Sequence, residues 1–141
     1  MGAESALVWS PLQHNMPGVW ERIETRTKRG VPDCHYLIKG KTGWLELKYL
    51  PKWPARDTTQ TTLGLMPLQV HWQNRWAAHK GRCHVLVRVG GARGGWLLVP
   101  GARVVRKDTE VGWLNRAQYW WGVMNFEQLT QQLLFDPPLL H

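Results

Sequence analysis

The chain has 141 residues and a mass of 16.3 kDa, with 43% hydrophobic and 20% charged residues. That balance excludes general disorder, and the length suits a single domain that needs no disulfide staples. A formal charge of +8 predicts attraction to polyanions, nucleic acid first, and no apolar run approaches the ~20 residues of a membrane span, so no membrane partner is expected.

The opening residues, MGAESALVWSPLQHN, have neither a basic region nor a long apolar run, so no secretory leader is expected and the reading is cytoplasmic. They show no clear period. Asn15 can cap a helix with Pro17 in its first turn, and Met16, Trp20 and Ile23 recur at i, i+4 and i+7, which predicts a helix ending near Gly30. VPDCHYLIKGKTGWLELKYL, residues 31–50, predicts two strands around a KGKT turn. Residues 51–66, with Pro51, Pro54, a Thr cluster and Gly64, predict a mobile loop.

Pro67 opens a second predicted helix, PLQVHWQNRWAAHK, closed by Gly81 as the C′ residue, with Leu68, Trp72 and Trp76 along one side. RCHVLVRV, residues 82–89, alternates as a strand with Val85, Val87 and Val89 on one face; GGARGG turns, and WLLVP, 96–100, is a further strand. After an irregular stretch, Asn125 caps a last helix with Gln128 at N3, apolar along Phe126, Leu129, Leu133 and Leu134, and ended by Asp136-Pro137-Pro138. The order predicts a mixed α/β domain with one central sheet. Residues 1–141 form a single domain in this reading, with a core over about 16–101 and an extension over 108–141.

Charge is unevenly spread. No acidic residue lies between Asp57 and Asp108, a stretch that holds Arg75, Lys80, Arg82, Arg88, Arg93, Arg103, Arg106 and Lys107. The few carboxylates set among basic residues, Glu24, Asp33 and Glu46, either neutralise a positive field or hold a metal. Cys34 and Cys83 sit in apolar strand-like runs and read as small buried hydrophobes in a reducing compartment. No His or Cys spacing carries a zinc signature.

The hairpin can be tested by register. A turn centred on Gly40-Lys41 sets Asp33 opposite Lys48, His35 opposite Glu46 and Leu37 opposite Trp44. Alternation then puts Cys34, Tyr36, Ile38, Leu45, Leu47 and Tyr49 on an apolar face, and Asp33, His35, Glu46 and Lys48 on a polar one. A slip of one residue would mix the two sets. Cross-strand and diagonal neighbours lie about 5–8 Å apart, so the two carboxylates repel and one is expected to hold a proton unless a cation sits between them. Mg²⁺ suits such a pair, since it takes one or two protein carboxylates and completes its shell with water and phosphate oxygens. The alternative is a solvent-facing, salt-bridged strand pair.

Pro32-Asp33 followed by Glu46-Leu47-Lys48 resembles the PD-(D/E)XK nuclease signature. The wider run, RIET…GVPDCHYLIKGKTGWLELK…LQVHWQ…WLLVPG over roughly residues 20–101, resembles small phage-encoded nucleases of the VRR-NUC and Holliday-junction-resolvase-like branch. The resemblance implies a restriction-endonuclease-like α/β core, a mixed four-stranded sheet flanked by helices with the site at one edge. It implies a metal-dependent endonuclease that hydrolyses DNA in the host cytoplasm, with Mg²⁺ as cofactor and Mn²⁺ as a substitute. Asp33, Glu46 and the backbone carbonyl of Leu47 would hold the metal. Lys48 would orient or deprotonate the attacking water, and Glu24, with Glu21 as its rival, would act on a second metal or its waters. Gln69 would bond a metal-bound water or a phosphate. If the chain is a resolvase, a symmetric homodimer is expected.

Beside these, His35 reads as a supporting residue that bonds Glu46 or a phosphate, and Gln73 as an extension of the Gln69 stripe or its solvated rim. Lys52, Arg56, Arg88 and Arg93 are candidate phosphate contacts. Trp53, Trp113, Trp120 and Trp121 suit either the core or stacking on unpaired bases, whereas Trp72 and Trp76 are expected in the core. The rival function is a nucleic-acid-binding or assembly module with a nuclease-like fold and no catalysis.

Overall fold

A computed structural model of the chain describes residues 2–23 and 30–136. The N-terminal segment is helical: a π-helical turn over Ser5–Trp9 runs into α1, Ser10–Asn15. Pro11 has no N–H to give the Leu7 carbonyl, and the Arg88 guanidinium donates to that oxygen instead, 2.9 Å from Nη1. Asn15 therefore ends a helix rather than capping the next one.

The expected helix after it is absent where the chain is described. Gly18 takes φ +87°, in a position where a Cβ would collide with the Leu37 carbonyl, and β1, Val19–Arg22, pairs antiparallel with β2. Trp20 and Arg22 are half-buried while Val19 and Glu21 are exposed, a period of two that the 3.6-residue spacing of Met16, Trp20 and Ile23 had masked. Residues 24–29 lie outside the described residues.

β2, Cys34–Ile38, and β3, Lys41–Leu50, form the expected hairpin. Its turn is Lys39-Gly40, with φ of 50° and 79°, as a type I′ turn requires. The register therefore differs from expectation by two residues: Cys34 pairs with Leu45, His35 with Trp44 and Leu37 with Thr42. A shift of two leaves every side chain on its predicted face.

A crossover through α2, Pro67–Ala78, makes β4, Cys83–Val89, parallel to β3. β5, Gly95–Pro100, and β6, Tyr119–Trp121, add antiparallel, giving a six-stranded sheet in sequential order. This is the mixed α/β architecture expected, with β1 and β6 widening the implied four-stranded sheet at both edges. Lys80, at φ 66°, supplies the left-handed turn that stops α2; Gly81 follows it and donates to the Trp76 carbonyl.

Each face of the sheet has its own core. Cys34, Tyr36, Ile38, Leu45 and Leu47 pack with Val8 and Leu12 of the N-terminal helix and with Leu129 and Leu133 of α4, Phe126–Leu134. Val85, Val87 and Val89 face Val70 of α2, Trp113 of α3, Glu110–Arg116, and Trp53, Leu63 and Leu65. The expected 51–66 loop is irregular but anchored: Thr61 bridges to Asp108, and Trp113 Nε1 donates to the Thr61 carbonyl at 2.8 Å. Asn125 caps α4 by accepting from the Gln128 N–H, whereas the Gln128 side chain accepts from Trp121 and leaves the capping box half made. Both cysteines are buried and free. Among the described residues no helix is long and apolar enough to cross a membrane.

Candidate active site

Strand alternation decides which carboxylate is sealed. Glu46 points to the α2 side of β3 and is 1% exposed. Asp33, just before β2, comes directly alongside it: its N–H donates to Glu46 Oε2 at 3.2 Å, and its carboxylate accepts from the Leu47 N–H at 2.9 Å. Lys48, two residues on and so on the same face, places Nζ 3.6 Å from Glu46 Oε1.

Gln69 closes the group from above. At the N3 position of α2 its Oε1 accepts from the Met66 N–H at 2.8 Å. That fixes the amide, so Nε2 faces Glu46 and donates to Oε1 at 2.6 Å. Gln69, which the resemblance sets on a metal-bound water or a phosphate, thus stands against the Glu46 carboxylate.

The backbone contributes as well. The N–H and C=O of one strand residue face the same neighbour. Trp44 donates to Arg82 and Leu50 accepts from Gly90, so even-numbered β3 residues face β4 and odd-numbered ones face β2. Leu47 thus turns its carbonyl to the side where β2 has already ended, a local edge of the sheet beside Asp33.

Burial pushes the Glu46 carboxyl up to about 9, with the Asp33 charge adding to the effect and Lys48 opposing it. This is the proton-holding member of the repelling pair. Glu4, at the start of the N-terminal helix, is also raised, by burial and then by Asp33, while Lys48 and Arg22 lower it. It lies within electrostatic reach of Asp33 and Lys48, a neighbour that sequence reasoning missed. Arg22 Nη1 donates to Ser5 Oγ at 2.6 Å and brings that helix in.

Other candidates fall elsewhere. Glu24 lies outside the described residues, and Glu21 is exposed on β1 opposite His35. His35 is not opposite Glu46; its ring lies 4.5 Å from Trp44. Gln73 is buried and donates to the His84 carbonyl, so it extends no solvated stripe. Arg88 is spent on the opposite face, on Leu7 and over the Trp96 ring at 5.0 Å. Arg93 pairs with Glu110 at 2.7 Å and the Pro54 carbonyl; Lys52 and Arg56 are exposed. Trp53, Trp113 and Trp121 are core residues and Trp120 packs against the core, whereas Trp76, expected there, is 39% exposed.

Among the described residues no three His, Cys, Asp or Glu side chains are arranged to hold a metal ion. The donor set is two carboxylates and a free-facing carbonyl, all hard oxygens, which fits Mg²⁺ with waters completing its shell. No family model matches the chain, and no curated protein matches it.

Proposed function

We propose that the chain is a metal-dependent endonuclease that hydrolyses DNA phosphodiester bonds. The observation that carries this reading is the convergence of Asp33, Glu46 and Lys48 on one face of a chain with charge +8. Asp33, Glu46 and the Leu47 carbonyl would hold Mg²⁺, or Mn²⁺ in its place. The bound ion would lower the pKa of a water and offset charge developing on the phosphate. Lys48 orients that water or meets the phosphate. Gln69 keeps Glu46 Oε1 in place, and Glu24, with Glu21 as its rival, keeps the part of the further acid that the resemblance implies. The basic field draws the polyanion in.

The test is cleavage of four-way junction, duplex, nicked, flap and single-stranded DNA with Mg²⁺, Mn²⁺ or EDTA. Asp33→Ala, Glu46→Ala and Lys48→Ala each lower cleavage by about a thousandfold or more, while binding in EDTA survives. Undiminished Mg²⁺-dependent cleavage by Glu46→Ala would overturn the mechanism. Binding with no cleavage of any substrate, and no Mg²⁺ affinity owed to Asp33 and Glu46, would leave the chain a nucleic-acid-binding module.

A further inference from the structure

Beside the carboxylates, on the same face, four aromatic rings run outward. His35 lies 4.5 Å from Trp44, and Trp44 lies 5.6 Å from Trp72 and 6.2 Å from Trp76, edge-on to both. Trp72 and Trp76 stack at 4.8 Å with their planes 12° apart. Trp44 is two residues from Glu46 on β3, about 7 Å along the strand. Trp72 is one turn from Gln69, whose amide holds Glu46. The strip therefore begins at the site and ends at Trp76, 39% exposed.

Trp72 is buried at 9% and His35 and Trp44 are half-buried, so Trp76 is the member of the strip that meets solvent. The charges around the strip choose the occupant. Arg75, His79 and Lys80 are exposed beside Trp76 on α2 and its cap; Asp136, paired with Arg82, lines a cleft with Lys80, and Glu21 stands opposite His35 at the other end. A second copy of this chain would bring another +8 and be repelled. A nucleic-acid strand brings phosphates for the cations and base faces for the rings. In a duplex those base faces are hidden.

We propose that the His35–Trp44–Trp72–Trp76 strip is a stacking platform for unpaired bases, so that the site acts on strands with single-stranded character next to the scissile phosphate. The proposal rests on nucleic acid being the substrate, and it deepens that reading by naming the substrate form.

The test is anisotropy of a labelled oligo-dT and of a labelled duplex of equal length, in EDTA, so that it is read whether or not the protein cleaves. Trp76→Ala weakens oligo-dT binding about tenfold and duplex binding less than twofold. Trp76→Phe restores most of the loss, and Leu68→Ala, an exposed apolar change on the same helix, does neither. Unchanged oligo-dT affinity in Trp76→Ala, equal losses on both DNAs, or no oligo-dT binding by the parent protein overturns the proposal. So does a concentration-dependent dimer that Trp76→Ala dissolves while oligo-dT binding stays intact.

Discussion

Glu46 and His84 stand on neighbouring strands, on opposite faces of the sheet, and both are nearly sealed from solvent at 1% and 6% exposure. Burial displaces both in the direction of neutrality, Glu46 up to about 9 and His84 down to about 4. Their neighbours differ. Glu46 receives two N–H donors and has an ammonium 3.6 Å away, with Asp33 supplying the opposing charge. One added cation would tip it to the ionised form. His84 has Gln118 Oε1 at 3.1 Å on Nε2 and, among the described residues, no partner on Nδ1, and Arg82 disfavours its imidazolium. A displaced titration is a sign of burial; a functional site also offers groups that receive the charged form.

The sharpest break between the two is activity. Glu46→Ala is expected to cost about three orders of magnitude in Mg²⁺-dependent cleavage, and His84→Gln less than about threefold, measured on one substrate at one pH. Comparable losses in both variants would erase the distinction.

The second contrast is in stability against pH, where the signs oppose. The unfolded His84 imidazole takes a proton near pH 6.5 and the folded one near 4, so its contribution is whole above 6.5 and is lost as pH falls toward 4. The loss is about 3 kcal/mol, read as a lower urea midpoint at pH 4.5 than at pH 7, and His84→Gln flattens it. Glu46 acts the other way: the folded group keeps its proton to about 9, so its contribution is whole below about pH 4.5 and drains as pH rises to 9. Glu46→Gln is therefore expected to raise the melting temperature in EDTA by about 5 °C at pH 8 and by less at pH 5. A gain that shrinks as pH rises would show that Glu46 is charged in the free protein.

These contrasts rest on parts of the fold that the sequence disclosed unequally. The two faces of the hairpin were legible because alternation survives an even slip: the turn moved from Gly40-Lys41 to Lys39-Gly40, and Asp33, Glu46 and Lys48 stayed together. The choice between those turns was not legible, since either order of Lys and Gly makes a two-residue turn. β1 was misread because Trp20 fits both a helical and an extended period, and Gly18 packed on Leu37 decides between them only in the folded chain. α3 was missed although Thr109 caps it, because Gly112 breaks its helical signal. Glu4 had no local signal at all; it comes within electrostatic reach of Asp33 on a helix that Arg22 and Arg88 hold in place. Gln69 was found by its place at the start of α2, but only the Met66 N–H, which fixes its amide, shows that it serves Glu46.

That last bond gives the smallest of the expected effects and the finest test of the comparison. Gln69→Ala removes the 2.6 Å donor from Glu46 Oε1 and leaves the Met66 N–H without its acceptor. The second loss costs about 1 kcal/mol of stability, as for a missing helix cap, and leaves the protein folded. The first leaves the carboxylate less well oriented. Groups that orient a metal ligand are worth about 10- to 100-fold in metal affinity, so the Mg²⁺ concentration for half-maximal cleavage should rise by about tenfold. Cleavage at saturating Mg²⁺ should fall much less, because Asp33, Glu46 and Lys48 are all still present. Cutting Gln118 back to Ala removes the corresponding partner of His84 and should leave the Mg²⁺ dependence where it was. If the two variants moved that midpoint equally, the bond from Gln69 would be ordinary packing around a buried acid, and Glu46 would differ from His84 only in the sign of its shift.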